Sequence, residues 1–84
     1  MILQINKVLE RTDTLREDMI GDVKRTNTVD GFVMVELSNG DVLTLSKDSE
    51  DVSFDLDVSP EFKAYIVKDV WLLNDQGKTL RKLI

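Results

Sequence analysis

The chain has 84 residues, of which 42% are hydrophobic, and a formal net charge of −5. This length suffices for one domain, and the hydrophobic content excludes the composition of disordered chains. The absence of cysteine and histidine excludes disulfides, the usual zinc sites and the usual catalytic triads. We therefore expect a single small domain, residues 1–84, that is not an enzyme and carries no cofactor or metal.

The N-terminal third of the sequence fits both strands and a helix. Ile2 to Glu10 matches the two periodicities about equally, and we interpret it as a strand because the rest of the chain is rich in β-forming residues. Thr14 to Glu17 fits a helix capping box, which predicts one short helix near residues 14–25. Since Gly21 weakens that helix, residues 19–26 fit a strand equally well. Both alternatives stay open at this stage.

The clearest local signal is Asn39-Gly40, which separates two β-rich segments at residues 32–38 and 41–46. This dipeptide is typical of a two-residue type I′ turn, so we predict a hairpin in which Ser38 lies opposite Asp41. That register predicts two apolar faces, one with Val33, Val35, Leu37 and Val42 and the other with Phe32, Met34, Leu43 and Leu45. Neither face could then simply lie in water.

Residues 52–58 alternate between apolar and polar side chains, which predicts a half-buried strand with Ser53, Asp55 and Asp57 pointing outward. Ser59-Pro60-Glu61-Phe62 fits one helical turn after this strand, with Ser59 as the N-cap and Pro60 at the first helical position.

A second hairpin is predicted at the C-terminus, with strands at residues 63–74 and 78–84 and a turn that places Gly77 in a left-handed conformation. If Asn74 lies opposite Lys78, then Trp71 lies opposite Arg81. The same register predicts a shared face for Ile66, Val70, Leu72, Leu80 and Ile84.

Acidic residues are concentrated in the middle of the chain, where residues 32–62 hold one lysine and eight acidic residues. Such a surface disfavours nucleic acid and anionic membranes and attracts the basic surface of a protein partner. The candidate contact residues are Asp48, Glu50, Asp51, Asp55 and Asp57. The alternative is that these carboxylates only keep the surface soluble.

Trp71 and Arg81 are the second candidate contact surface, because tryptophan and arginine are enriched in interface hot spots. The alternative is a core tryptophan covered by the stem of the arginine. The exposure of Trp71 distinguishes the two.

Residues 19–23 and 29–42 resemble the opening strands of small barrels such as bacterial initiation factor 1 or Sm-like proteins, whose second and third strands also meet at an Asn-Gly turn. The resemblance implies a barrel fold and nucleic-acid binding. This chain lacks the basic residues and the several strand aromatics that such barrels use to stack bases.

We therefore predict a mainly β domain, a small barrel or compact sandwich of five to seven antiparallel strands. The first functional hypothesis is a non-enzymatic protein-binding module, a small acidic regulator or inhibitor that acts on a basic surface of a larger, nucleic-acid-handling protein and is encoded by a phage or mobile element. The second is a self-associating assembly subunit such as a homodimer, and the third is a nucleic-acid-binding barrel. No segment fits a signal peptide or a membrane span, so we expect a cytoplasmic location and no membrane partner.

Overall fold

The computed structural model describes residues 1–9, 12–55 and 61–84, with all their side chains except those of residues 51–55 and 61–63. The strands are β1 (Ile2–Leu9), β2 (Leu15–Ile20), β3 (Val23–Val29), β4 (Phe32–Leu37), β5 (Val42–Ser46), β6 (Glu50–Asp55), β7 (Glu61–Leu73) and β8 (Thr79–Lys82). Within these ranges the chain forms no helix that could span a membrane.

The strands form two antiparallel sheets. The five-stranded sheet has the order β2-β1-β7-β6, with β8 also paired to β7, and the three-stranded sheet has the order β3-β4-β5. β7 is long enough to pair with β6 over residues 61–66 and with β8 over residues 71–73. The prediction of a mainly β domain is confirmed, in the form of a sandwich of two sheets and not of a closed barrel.

The core lies between the two sheets, and β1, β3, β4, β5 and β7 supply most of its buried side chains. Its buried members are Leu3, Ile5, Val23, Val33, Val35, Leu45, Val67, Val70, Leu72 and Leu83. Full burial of one such side chain stabilises the fold by roughly 1.5–3 kcal/mol, so this cluster can hold the sheets together without a disulfide. Because side chains alternate along a strand, each sheet also has an outer side.

The helix predicted near residues 14–25 is wrong, and the strand alternative is correct. This segment forms β2 and the beginning of β3, with Gly21 and Asp22 between them. Leu15 and Met19, which stand at helical spacing, are 67% and 50% exposed. Pairing of β2 with β1 along its whole length overrides the weak local preference for a helix.

The first hairpin is present, but its loop has three residues instead of two. The N–H of Leu37 donates to the carbonyl of Asp41 at 2.9 Å, so residues 38–40 form the loop. Gly40 has a φ of 93°, and its N–H donates to the carbonyl of Leu37 at 3.0 Å. This geometry is a type I turn followed by a left-handed glycine, the usual form of a three-residue hairpin loop.

The additional loop residue shifts β5 by one position along β4, which turns the side chains of β5 over to the other side. The predicted pair of mixed apolar faces is therefore wrong. The core side holds Val33, Val35, Leu37, Leu43 and Leu45, and the outer side holds Phe32, Met34 and Val42.

A two-residue hairpin turn does occur, at Asp30-Gly31 between β3 and β4. Both residues have positive φ, 48° and 81°, and Val29 lies directly opposite Phe32. Asp-Gly suits this turn as well as Asn-Gly does, because glycine adopts the second positive φ without strain.

The C-terminal hairpin is confirmed, with a change of register inside it. The N–H of Asn74 donates to the carbonyl of Lys78 at 2.9 Å, as predicted, and Gly77 has a φ of 82°. A bulge between Leu72 and Leu73 then leaves Leu80 without an opposite residue. Leu80 is 52% exposed and does not join the core face predicted for it.

β6 is a strand where the alternating pattern predicts one, as far as Asp55. The predicted outward orientation of Ser53 and Asp55 lies outside what the structure describes, as do Asp57, Ser59 and Pro60. The helical turn predicted for residues 59–62 is wrong at Glu61 and Phe62, which begin β7.

Candidate binding surfaces

The outer side of the three-stranded sheet exposes four large apolar side chains, which we name the apolar face. Val29, Phe32, Met34 and Val42 are 47%, 51%, 45% and 59% exposed. Phe32, Met34 and Glu36 follow one another on the outer side of β4. Val29 of β3 lies opposite Phe32, and Val42 of β5 lies opposite Glu36. The apolar face therefore runs across all three strands, and exposed apolar patches of this kind mark interaction sites.

The apolar face follows from the composition of β4. Val33 and Val35 are fully buried against the five-stranded sheet. Since consecutive side chains of a strand point to opposite sides, Phe32 and Met34 must point to solvent. A strand that served only the core would carry polar residues at these two positions.

A shallow cavity of about 170 Å³ lies at one end of the apolar face, lined by Arg25, Asn27, Met34, Glu36 and Val42. Arg25 Nε is 2.7 Å from Glu36 Oε2, and Lys24 Nζ is 3.6 Å from Glu36 Oε1. Glu36, which belongs to the acidic middle of the sequence, is thus neutralised by basic residues of β3.

Two exposed aspartates lie close in the chain to residues of the apolar face, and we name them the acidic rim. Asp30 precedes Phe32 across the turn, and Asp41 directly precedes Val42. The carboxylate of Asp41 accepts a hydrogen bond from Asn39 Nδ2 at 3.1 Å. Neither aspartate forms an ion pair within the residues described here. An apolar centre with a charged rim is the usual composition of a protein interface.

Trp71 lies on the outer side of the five-stranded sheet. Its neighbours Val70 and Leu72 are buried, whereas Trp71 is half-buried. Its Nε1 donates to Asp69 Oδ1 at 2.8 Å, and Lys82 Nζ is 5.7 Å from the centroid of its ring. Trp71 is therefore not a core residue, and its ring is held by Asp69 on one side and covered by Lys82.

The predicted pair of Trp71 with Arg81 is wrong because of the bulge in β8. Lys82 lies opposite Trp71, and Arg81 lies opposite Leu72. Arg81 instead reaches the other sheet, where its Nη2 donates to Thr26 Oγ1 at 3.3 Å. Since side chains alternate along β8, Trp71 and Arg81 belong to two different surfaces.

The acidic candidates do not come together with Trp71. Asp48 is exposed, and its Oδ1 is 3.2 Å from Lys68 Nζ. Glu50 opens β6 opposite Ile66, which is roughly 15 Å along β7 from Trp71 at the rise of a strand. The side chains of Asp51 and Asp55, and the whole of Asp57, lie outside the described residues. In the described part no three potential metal ligands come together.

A partly buried ionic cluster joins β1, β2 and β7, and sequence reasoning missed it. Lys7 is 4% exposed, and its Nζ is 2.6 Å from Asp18 Oδ2. Arg16 Nε is 3.0 Å from the other oxygen of Asp18, and Arg16 Nη1 donates to the hydroxyl of Tyr65 at 3.3 Å. The Tyr65 ring lies 5.5 Å from Lys7 Nζ. The available signal was position, since Lys7 follows the buried Leu3 and Ile5 on the same side of β1.

The charges of this cluster compensate one another. Burial raises the pKa of the Asp18 carboxyl, but the hydrogen bonds and charges of Lys7 and Arg16 outweigh burial and leave that pKa below its ordinary value. The hydrogen bond with Tyr65 and the charge of Asp18 raise the pKa of Arg16. The arrangement stabilises the ionised forms of Asp18 and Arg16, which fits a role in holding three strands together.

No protein family, curated protein or solved structure significantly matches this chain.

Proposed function

We propose that this protein is a non-enzymatic protein-binding module and that the apolar face is its contact surface. The observation that carries the proposal is the exposure of Val29, Phe32, Met34 and Val42 on one side of a rigid sheet. Covering apolar surface releases roughly 25 cal/mol per Å², so a partner that buries these side chains gains affinity from them. Aromatic residues and methionine are also enriched at the centres of interfaces.

The partner that fits best is a larger protein with basic residues around an apolar patch. The acidic rim, Asp30 and Asp41, would meet those basic residues, and the net charge of −5 would attract them from a distance. Basic surfaces are typical of proteins that handle nucleic acid. We therefore retain the hypothesis of a small acidic regulator or inhibitor of such a protein, and its small size and acidity are what support an origin in a phage or mobile element.

A second copy of the chain fits the apolar face less well than a basic partner does. Two copies stacked face to face would bring the acidic rims together, and each copy carries a net charge of −5. Like charges juxtaposed at an interface oppose binding. Self-association is thus the weaker of the two hypotheses for this surface.

The test is a double substitution, Phe32→Ser with Met34→Ser, used in affinity capture from a bacterial lysate with quantitative mass spectrometry. The matched control is Leu15→Ser with Met19→Ser, since these residues are at least as exposed as Phe32 and Met34 but lie on the other sheet. We expect a protein that the parent and the control recover and the Phe32/Met34 variant loses. Both variants should stay folded, because exposed substitutions change stability by about 0.5 kcal/mol or less each.

Recovery of the same proteins in the same amounts by the Phe32/Met34 variant would show that the apolar face is not the contact surface. A parent protein that sediments as a dimer, together with a monomeric Phe32/Met34 variant, would instead assign the face to self-association.

A further inference from the structure

A second surface of the molecule, distinct from the apolar face, is the cleft where β3 of one sheet comes close to β8 of the other. Arg81 on β8 and Thr26 on β3 are hydrogen-bonded at 3.3 Å across this cleft. The cavity there has a volume of about 420 Å³ and is lined by Met1, Arg25, Thr26, Leu72, Leu80 and Arg81. Small-molecule sites typically have volumes of roughly 300–1,000 Å³, so the cleft is large enough for a small ligand.

The base of the cleft is apolar. Leu72 is a core residue, 3% exposed, and Leu80 is 52% exposed beside it. Leu80 is the bulged residue of β8, and a bulge commonly redirects a side chain. The irregularity that removes Leu80 from the core face is therefore what makes it available to the cleft.

The cleft carries an excess of positive charge although the protein as a whole is acidic. Arg81 forms no ion pair within the described residues, where its side chain bonds to the neutral Thr26. Arg25 shares the carboxylate of Glu36 with Lys24, which leaves two cations for one anion. The amino group of Met1 is neutralised by Asp75 at 3.0 Å. Arg81 thus borders the apolar base of the cleft without an ionic partner among the described residues, whereas the guanidinium of Arg25, another lining residue, is paired with Glu36.

We propose that this cleft binds the anionic group, a carboxylate or a phosphate, of a small amphiphilic ligand. Arginine recognises both groups with paired, charge-assisted hydrogen bonds, and these are stronger where water is partly excluded. The aliphatic part of the ligand contacts Leu72 and Leu80, while the anion lies against Arg81. A purely polar anion would leave the apolar base uncovered, and a purely apolar molecule would leave the charge of Arg81 uncompensated.

The experiment is a titration of the whole chain followed by two-dimensional amide NMR. The probes are octanoate and octyl phosphate, with octanol and octylammonium as neutral and cationic controls of the same chain length. We expect saturable shifts at Thr26, Leu72, Leu80 and Arg81 with at least one of the two anions and none with the controls. The anion that binds more tightly identifies the carboxylate or the phosphate as the preferred group.

The variant is Arg81→Gln, and its matched control is Lys78→Gln, which removes one exposed positive charge from the same hairpin. Affinity for the anionic probe should fall roughly tenfold or more in Arg81→Gln, stay unchanged in Lys78→Gln and recover partly in Arg81→Lys. The Phe32/Met34 variant should bind the probe as the parent does.

Three results would overturn this assignment. One is the absence of saturable shifts with both anions, and another is equal affinity of the parent and a folded Arg81→Gln protein. The third is binding of octanol, or of inorganic phosphate alone, as tightly as the amphiphilic anion, since either shows that only half of the proposed site is used.

Discussion

Lys7 is the residue whose burial requires the most compensation. An ammonium group loses hydration when it is 4% exposed, and this loss costs several kcal/mol unless partners replace the water. Asp18 supplies the opposite charge at 2.6 Å, and the face of the Tyr65 ring supplies a further attraction. The stability of β2 on the edge of the five-stranded sheet therefore depends on Asp18.

Substitution of Asp18 by Asn should destabilise the protein by about 3 kcal/mol at pH 7, because it leaves Lys7 buried without that carboxylate. This value is at the low end for buried ion pairs, since Asp18 is 28% exposed. The control is Glu17→Gln, which changes the net charge equally at an exposed residue of the same strand and should cost less than about 0.5 kcal/mol. Urea unfolding of the three proteins measures both differences.

The effect of Asp18 also has a defined dependence on pH. The pKa of Asp18 in the folded protein is lowered from its ordinary value of 3.8. A lowered folded-state pKa contributes stability that is complete above 3.8 and is lost as the pH falls through the folded value. The stability gap between the parent and Asp18→Asn should thus be full at pH 7 and shrink below about pH 4. A gap that stays constant down to pH 2 would show that Asp18 acts by packing and not by charge.

At the scale of the strands, turn conformation decides which side chains face the core. Asp30-Gly31 fixes the pairing of β3 with β4, and the three-residue loop at residues 38–40 fixes that of β4 with β5. A shift of one residue in either loop would exchange the buried and exposed sides of a strand. The apolar face depends on both turns.

Gly31→Ala should destabilise the protein by about 1 kcal/mol, because alanine is strained at a φ of 81°. The control is Gly21→Ala. At both positions an added Cβ would find no atom within 4 Å, but Gly21 does not have a left-handed φ. Gly21→Ala should therefore leave stability unchanged or raise it by about 0.4–1 kcal/mol. Thermal and urea unfolding measure both effects, and equal losses would refute the argument from backbone conformation.

The position of the strands could be predicted from the sequence to a greater extent than their faces. Turn residues located both hairpins and alternation located β6, since these signals are local. β1 was interpreted as a strand only because the rest of the chain is rich in β-forming residues. Which side chains of β5 face the core depended on whether the loop at Asn39-Gly40 has two residues or three. Asn-Gly fits a loop of either length, so the dipeptide alone did not decide this. The bulge at Leu72 and Leu73 had no local signal either, so the partner of Trp71 was predicted one residue away from its true position.

At the scale of the molecule, charge counted along the chain differs from charge as the fold arranges it. Residues 32–62 hold eight acidic residues, yet Glu36 pairs with Lys24 and Arg25, and Asp48 pairs with Lys68. The acidic middle is thus partly neutralised by the basic residues of β3 and β7. The basic partners, Lys24 and Arg25 on β3 and Lys68 on β7, lie outside residues 32–62, which is why a count by segment did not show this neutralisation.

The rate at which a partner binds the apolar face should depend on where the carboxylates lie and not only on how many there are. Asp30→Asn with Asp41→Asn removes the acidic rim, and Asp55→Asn with Asp57→Asn removes two carboxylates of the acidic middle, so both variants change the net charge from −5 to −3. Asparagine is chosen at residue 30 because it tolerates the positive φ of 48° there. The comparison therefore keeps the charge constant and varies its position.

Association of the Asp30/Asp41 variant with the captured partner should be slower than that of the Asp55/Asp57 variant, and its rate should depend less on salt. The reason is that charges near a contact steer the encounter, whereas charges farther than the Debye length of about 8 Å at physiological ionic strength are largely screened. Surface plasmon resonance at 50 to 500 mM salt measures the association rate and its salt dependence. The Debye length falls from roughly 14 to 4 Å over this range. Equal rates for the two variants would mean that net charge alone steers binding. A slower rate for the Asp55/Asp57 variant would instead move the contact from the apolar face to the acidic residues around β6.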